Sequence, residues 1–342
     1  MQYITPSGSQ HWPLFFRPKR LDLQEWLAQQ MAHPPRPPVR RQHLVSQALL
    51  RQFSGPGKPI KIGTYHLEWK AYKEKAPKSC GYLNDWTTSF TGEMEQAWQP
   101  TENLIPSAIA AIMGGRVLGD PALLTVLKRT IAIHRLRSHT LRRFGQSAAD
   151  EAIAESLRRL TATQAVRRYL AQEFRALHGR EAASEDDLRS VLVDKAKGLA
   201  NWDPAINFRK KMDESFEDLK RIVDQCNVEI LRAPPGRHFI LGDTPVFLVP
   251  PAGRTRRSRD LPLFDSQFMI LPVHPDYCLR LPTKTNSIVA IGHRDLERIN
   301  DEQIANAYRY VYFTPDARTL NFVNAKAKRW RPPPVITELV AR

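Results

Sequence analysis

Several things are scarce in this sequence. Only three of its 342 residues are cysteine, Cys80, Cys226 and Cys278. They are too few and too scattered for a disulfide framework or a four-thiolate zinc site, and they suit a reducing compartment. No apolar stretch approaches the roughly 20 residues that a membrane-spanning helix needs, so no membrane partner is expected. Residues 1–20 (MQYITPSGSQHWPLFFRPKR) lack the charged-then-apolar order of a signal peptide, and a cytoplasmic location is expected. Acidic residues are also short, with 35 against 51 lysines and arginines and a net charge of +16. A basic surface of this kind attracts polyanions, of which nucleic acid is the commonest large one.

Most recognisable catalytic signatures are missing as well. There is no Walker loop, no Gly-x-Ser-x-Gly elbow, no His-Glu-x-x-His, no paired Cys-x-x-Cys and no Gly-x-Gly-x-x-Gly. Most nucleotide hydrolases, serine hydrolases, zincins and dinucleotide enzymes are thereby removed. His293-Arg294-Asp295-Leu296 with Asn300 spells a protein-kinase catalytic loop, but no glycine-rich loop, Val-Ala-x-Lys strand or Asp-Phe-Gly accompanies it. It is read as a chance match at a strand-to-helix join, with Asp295 or Asn300 as a helix cap.

What is present is an ordinary folded composition, 42% hydrophobic and 9% aromatic. Residues 1–41 read as a basic arm. A helical pattern at 21–31 is followed by HPPRPPVRR at 33–41, where each proline removes an amide donor and favours extended backbone. Residues 42–342 read as one α+β domain. Helical spacing predicts helices over 43–53, 104–113, 122–144, 148–177, 185–200 and 205–223. A strand is expected at 60–67. From 225 onward, short branched and aromatic runs at 228–231, 238–241, 246–249, 268–273 and 288–291 predict a mostly antiparallel sheet. A last helix is expected at 301–310. The helical part, 42–224, would pack on the strand-rich part, 225–342. Residues 252–260 (AGRTRRSRD) form a loop with four arginines.

Three clusters could carry chemistry. On a helix over 43–53, four-residue spacing puts His43, Gln47 and Arg51 on one side, where they could bind a phosphate or hold a water; a polar edge capping backbone is the commoner use. In IAIHRLRS (131–138), His134, Arg137 and Ser138 share a face. Arg137 lies among apolar positions and would want a carboxylate or phosphate, with Glu93, Glu95 and Glu102 as upstream partners. In FILGDTPVF (239–247), Asp243 ends a strand, where a carboxylate turns the chain, holds a metal or acts as a base. Arg129 and His134 also reproduce the Arg-x4-His spacing of helical ribonucleases of the HEPN type, with Thr130 where those have a more polar residue.

Taken in order, HLVSQALLRQF, IAIHRLRS, FILGDTPVF, FMILPVHPDYCLRL and ERINDEQIANAYRYVYF resemble the successive motifs of the bacterial family catalogued as domain of unknown function 4238. The resemblance runs from about 43 to 313. It makes His43, Gln47, Arg137, Asp243 and Asn300 the positions that match the family pattern, with His134 standing where the family has glutamine. What it implies concerns architecture more than activity.

The resulting expectation is a nucleic-acid-directed protein, a phosphodiesterase or nuclease of the toxin or phage-defence type. His43 is assigned as general acid or base, Arg137 as phosphate ligand and Asp243 as base or metal ligand. Gln47, Arg51, His134 and Asn300 are assigned to substrate binding. The cofactor is left open, with a divalent metal such as magnesium as the candidate and no ligand set assigned. The competing expectation is a module that binds nucleic acid or a protein partner without catalysis, through the arginine loop at 254–259.

Overall fold

A computed structural model describes residues 41–84, 92–138, 164–188, 190–191, 204–253, 261 and 263–332. The expected helix at 21–31, the proline tract at 33–40 and the arginine loop at 254–259 lie outside the described residues. The chain forms two compact units: Met1–Leu141 with Met212–Arg342, and Arg142–Lys211.

The fold is α+β with mostly antiparallel sheets. In the first unit, strand β1 (Arg41–His43) pairs with β4 (Tyr82–Asn84). A four-stranded sheet runs in the order β3 (Ala71–Lys75), β2 (Ile62–His66), β11 (Tyr310–Phe313), β6 (Leu241–Gly242). A five-stranded sheet has the order β10 (Ser287–Ala290), β5 (Asn227–Arg232), β9 (Tyr277–Thr283), β8 (Phe268–His274), β7 (Phe247–Val249). Its β10–β5 pair is parallel, and its other pairs are antiparallel.

The helices of this unit are α1 (Gln47–Gln52), α2 (Gly92–Met113), α3 (Pro121–Leu136), α6 (His293–Asn306) and α7 (Ala317–Ala327). Asp120 starts α3 by accepting the N–H groups of Ala122 and Leu123 at 3.0 and 3.1 Å, ahead of Pro121, whose missing donor costs nothing there. Both α1 and α3 pack against β8. Tyr65, Val311 and Phe313 from the four-stranded sheet form a core with Ile304 of α6, Val323 and Ala327 of α7, and Trp330. None of the described helices is long and apolar enough to cross a membrane.

The second unit contains α4 (Gln164–His178), whose Leu170 and Phe174 pack with Val191. Arg167 on its exposed side pairs with Glu185. Helix α5 spans Pro204–Gln225, and its residues from Met212 onward belong to the first unit. There Asp224 accepts a bidentate pair from Arg129 at 2.7–3.2 Å.

Three expectations about elements are corrected. His43 is not helical: it ends β1, and α1 begins only after Ser46, whose backbone is extended (φ −61°, ψ 145°) and whose hydroxyl accepts the Leu49 N–H. The expected helix at 301–310 lies instead at His293–Asn306, and Tyr310 belongs to β11. The N–H groups of residues 308–310 donate to the Asp243 carboxylate, so they are withdrawn from any helical ladder. Strands β3, β4 and β11 and helix α7 were not expected, whereas β8 and β9 form the strand pair that FMILPVHPDYCLRL implied by its resemblance; α7 is started by Asp316, which accepts the Thr319 N–H at 2.7 Å.

Candidate functional site

The turn between β1 and α1 is built on a glycine. Gly81 has φ +68°, and its carbonyl accepts the N–H groups of Leu44 and Val45 at 2.8 and 3.1 Å. A Cβ at this position would come within 2.7 Å of Leu50 and 3.1 Å of Val45. Only glycine permits both that backbone angle and that approach. The Gly81 N–H is taken by the Tyr312 hydroxyl at 3.1 Å, so the turn that carries His43 is tied to the four-stranded sheet.

His134 secures the same turn from the other side. Its Nδ1 lies 2.8 Å from the Thr130 carbonyl and its Nε2 lies 3.2 Å from the Ser46 N–H. Those partners require a proton on Nδ1 and a lone pair on Nε2, the neutral imidazole. Complete burial, with the Arg137 charge adding to it, pushes its pKa down to about 4. His134 therefore caps α1 by joining it to α3. It does not reach a ligand.

These supports leave an open cleft of about 650 Å³ between α1 and α2. One wall carries Gln47, Ala48, Arg51 and Gln52 from α1, with His43 at the end of β1. The other carries Gln96, Gln99, Glu102, Asn103 and Pro106, a stripe at three- and four-residue spacing along α2. Arg137, which caps the C-terminus of α3, completes it. His43, Gln47 and Arg51, close together in sequence, thus meet the distant Arg137 at one solvent-reachable hollow.

Their availability differs. Arg137 is 1% exposed; it lies 4.3 Å over the buried Trp98 ring and donates through both terminal nitrogens to Glu102, at 2.6 and 3.3 Å. Of the three upstream glutamates, Glu102 is therefore a partner, and a carboxylate already balances this guanidinium. Gln47 donates its amide to the Pro77 and Cys80 carbonyls at 3.1 and 3.4 Å, while its Oε1 is buried without a partner. Arg51 is exposed on the cleft wall. It is the guanidinium best placed to meet an incoming anion.

Asp243 and Asn300 sit elsewhere. Asp243 is 4% exposed, and its two oxygens accept the N–H groups of Tyr308, Arg309 and Tyr310 at 2.6, 2.8 and 2.9 Å. Burial raises its pKa to about 6 against the lowering effect of those three donors. Asn300 clips the extended segment that leads into β6, accepting from the Ile240 N–H at 3.0 Å and donating to the His238 carbonyl at 2.9 Å. Gln303, one turn on, does the same for the Gly242 N–H and the Pro245 carbonyl, both at 2.7 Å. These residues form a clasp that fastens β6, α6 and β11, and neither Asp243 nor Asn300 lines the cleft.

The remaining motifs resolve into packing. Arg129 is held by Asp224 and His134 by backbone, so the Arg-x4-His pair forms no joint site. The kinase-like letters span the start of α6, where Gly292 is the cap, Asp295 pairs with Arg298 at 3.3 Å and Asn300 belongs to the clasp. Neither Asp295 nor Asn300 caps the helix as expected. Among the described residues no group of three or more histidine, cysteine or carboxylate side chains could hold a metal ion.

The amides of α2 escaped the sequence reading, which placed a helix only at 104–113. Their spacing, 96, 99 and 103, was the available signal, masked by Pro100 and Pro106 inside the helix. No curated protein matches the chain, and no solved structure does either. The model of the family described as "Protein of unknown function (DUF4238)" matches residues 41–317, from β1 to the first turn of α7, and the chain belongs to that family.

Proposed function

We propose that the cleft between α1 and α2 takes up nucleic acid and that the chain acts there as a phosphodiesterase, of the kind used by toxins or in phage defence. The observation that carries this reading is the meeting of an imidazole, an exposed guanidinium and a stripe of primary amides in one open hollow of about 650 Å³, a size suited to a nucleotide-scale ligand. Arg51 meets a phosphate, Gln99 and Asn103 offer hydrogen bonds to sugar or base edges, and His43 transfers the proton. Arg137, with its charge satisfied by Glu102, shapes the floor of the cleft and steadies α2 against α3. Asp243, fully engaged by backbone, has no part in the reaction.

Purified full-length chain incubated with end-labelled RNA and DNA, with and without magnesium, tests the reading. Strand scission that disappears in His43→Ala and weakens in Arg51→Ala is the expected result. Intact substrates with the unaltered protein overturn it.

The engagement of Gln47 and Arg137 by structural partners favours a second reading, a module that binds nucleic acid and leaves it whole. Binding that falls steeply with salt while the strand stays intact would select that reading.

A further inference from the structure

On the four-stranded sheet lies an aromatic surface built from residues 66–75 and 308–310, none of which lines the cleft. The β2–β3 hairpin turns through Leu67, Glu68, Trp69 and Lys70, and Lys70 takes a left-handed backbone (φ 51°). Trp69 is 72% exposed. A lone exposed aromatic is commonplace, but this ring is held in place. It stacks on the His66 imidazole with centroids 3.9 Å apart and planes within 5°, and the Trp69 N–H donates to His66 Nδ1 at 3.1 Å. His66 is itself buried and meets the Tyr310 ring edge-on at 4.7 Å. One face of the indole is thus spent on a fixed partner, and the ring is held still while most of its surface stays in water.

Strand alternation determines what surrounds it. His66 pairs with Ala71 and Tyr310, so residues two and four further along β3, Lys73 and Lys75, lie on the same face of the sheet. Lys75 Nζ is 5.7 Å over the Tyr310 ring. Arg309, exposed beside Tyr310, lies over the Tyr308 ring at 5.0 Å. The cationic neighbours Arg309 and Lys75 each help to lower the pKa of His66, after burial and against Glu68, which places both charges near the stack. The opposite face of the sheet, with Tyr65, Val311 and Phe313, is in the core. A fixed, exposed indole with three cations, Lys73, Lys75 and Arg309, on and beside the neighbouring strands of the sheet against one carboxylate, Glu68, in its turn has the composition of a stacking platform with phosphate contacts beside it.

We infer that the Trp69–His66–Tyr310 stack, with Lys73, Lys75 and Arg309 beside it, is a docking surface for single-stranded nucleic acid, on which an unpaired base stacks against Trp69. It shares with the cleft reading only the class of ligand and stands or falls by itself. Charge complementarity selects a polyanion, and the rigid indole selects one with planar unpaired bases. The Asp243 clasp acquires a purpose in this arrangement, because its carboxylate holds the backbone of Arg309 and Tyr310 in place beside the stack.

The test is equilibrium binding of the full chain to three fluorescent dodecamers: a single strand, its duplex, and a strand of the same backbone without bases. The unaltered protein should bind the single strand about tenfold more tightly than the duplex or the abasic strand, the size of one base–aromatic stack. Trp69→Ala should erase that preference while leaving abasic binding unchanged, and Trp69→Phe should keep part of it. Lys73→Ala with Lys75→Ala should weaken all three ligands and flatten the salt dependence. A His43→Ala, Arg51→Ala double variant should retain the Trp69-dependent preference even if scission is lost, which separates failure of the cleft from failure of the platform. Equal binding of base-bearing and abasic strands, a Trp69→Ala variant that behaves as the parent, or displacement by polyglutamate as effective as by the single strand would overturn the assignment.

Discussion

The cleft and the Asp243 clasp are made from the same materials, polar and charged side chains at the ends of helices and strands, yet they are opposite kinds of place. In the clasp, Asp243, Asn300 and Gln303 are each at most 4% exposed, and their functional groups are taken up by backbone partners. In the cleft, Arg51, Gln99 and Asn103 face solvent. A polar residue in a motif is thus not evidence of chemistry until its partners are counted. Burial with full satisfaction marks a fastening, and polarity open to water marks a surface that something else can meet.

The comparison can be broken most sharply at Asp243. Replacing it by alanine strands three backbone donors in a buried setting and should cost about 3 kcal/mol in urea unfolding. Asp243→Asn, which keeps one acceptor oxygen, should cost about half as much. A stable Asp243→Ala protein that has lost strand scission would return Asp243 to the reaction.

His134 offers a test by pH. Its folded pKa of about 4 lies below the 6.5 of a free imidazole, so the unfolded chain binds the proton more readily in between. Its contribution is complete above pH 6.5 and is lost as pH falls toward 4, to a total of about 3 kcal/mol. Asp243 has the opposite sign, since its raised folded pKa of about 6 makes its contribution complete below pH 4 and lost as pH rises through 6. Glutamine at 134 could accept from Ser46 and donate to Thr130 without titrating. Unfolding free energies of the parent and His134→Gln, measured from pH 7.5 to 4, should diverge in the acid direction, with the variant the flatter.

A smaller loss is expected at Asn300. Asn300→Ala leaves the Ile240 N–H and the His238 carbonyl without their partner, and a loss of about 2 kcal/mol by chemical denaturation would confirm the clasp. The smallest effect belongs to the open side. Arg51→Ala should move stability by less than about 0.5 kcal/mol while weakening nucleic-acid binding. A large loss of stability there would mean that Arg51 is structural and that the contrast between the two regions is false.

The helices with strong three- and four-residue spacing were legible in the sequence, as were the strands at 228–231, 246–249 and 268–273, because those patterns are local. Asp243 was correctly placed at the end of a strand, but its carboxylate does not turn the chain locally: it bonds the backbone of residues 308–310. His43 shows where local reading stops. Its spacing to Gln47 and Arg51 fits a helix, but residues 41–43 pair with 82–84, some forty residues away. The imidazole nevertheless arrives at the same cleft, brought there by the Gly81 turn. The partner of Arg137 could be narrowed to three glutamates from sequence, and only packing over Trp98 selected Glu102.

By itself the sequence determined the α+β class, the excess of positive charge and the family, since each depends on composition or on short patterns that survive without a partner. The tertiary structure decided which polar residues are spent and which are offered. A hydrogen bond between Asp243 and Arg309, or between Ser46 and His134, joins groups separated by 66 and 88 positions, and such pairing comes into being only when the chain closes on itself.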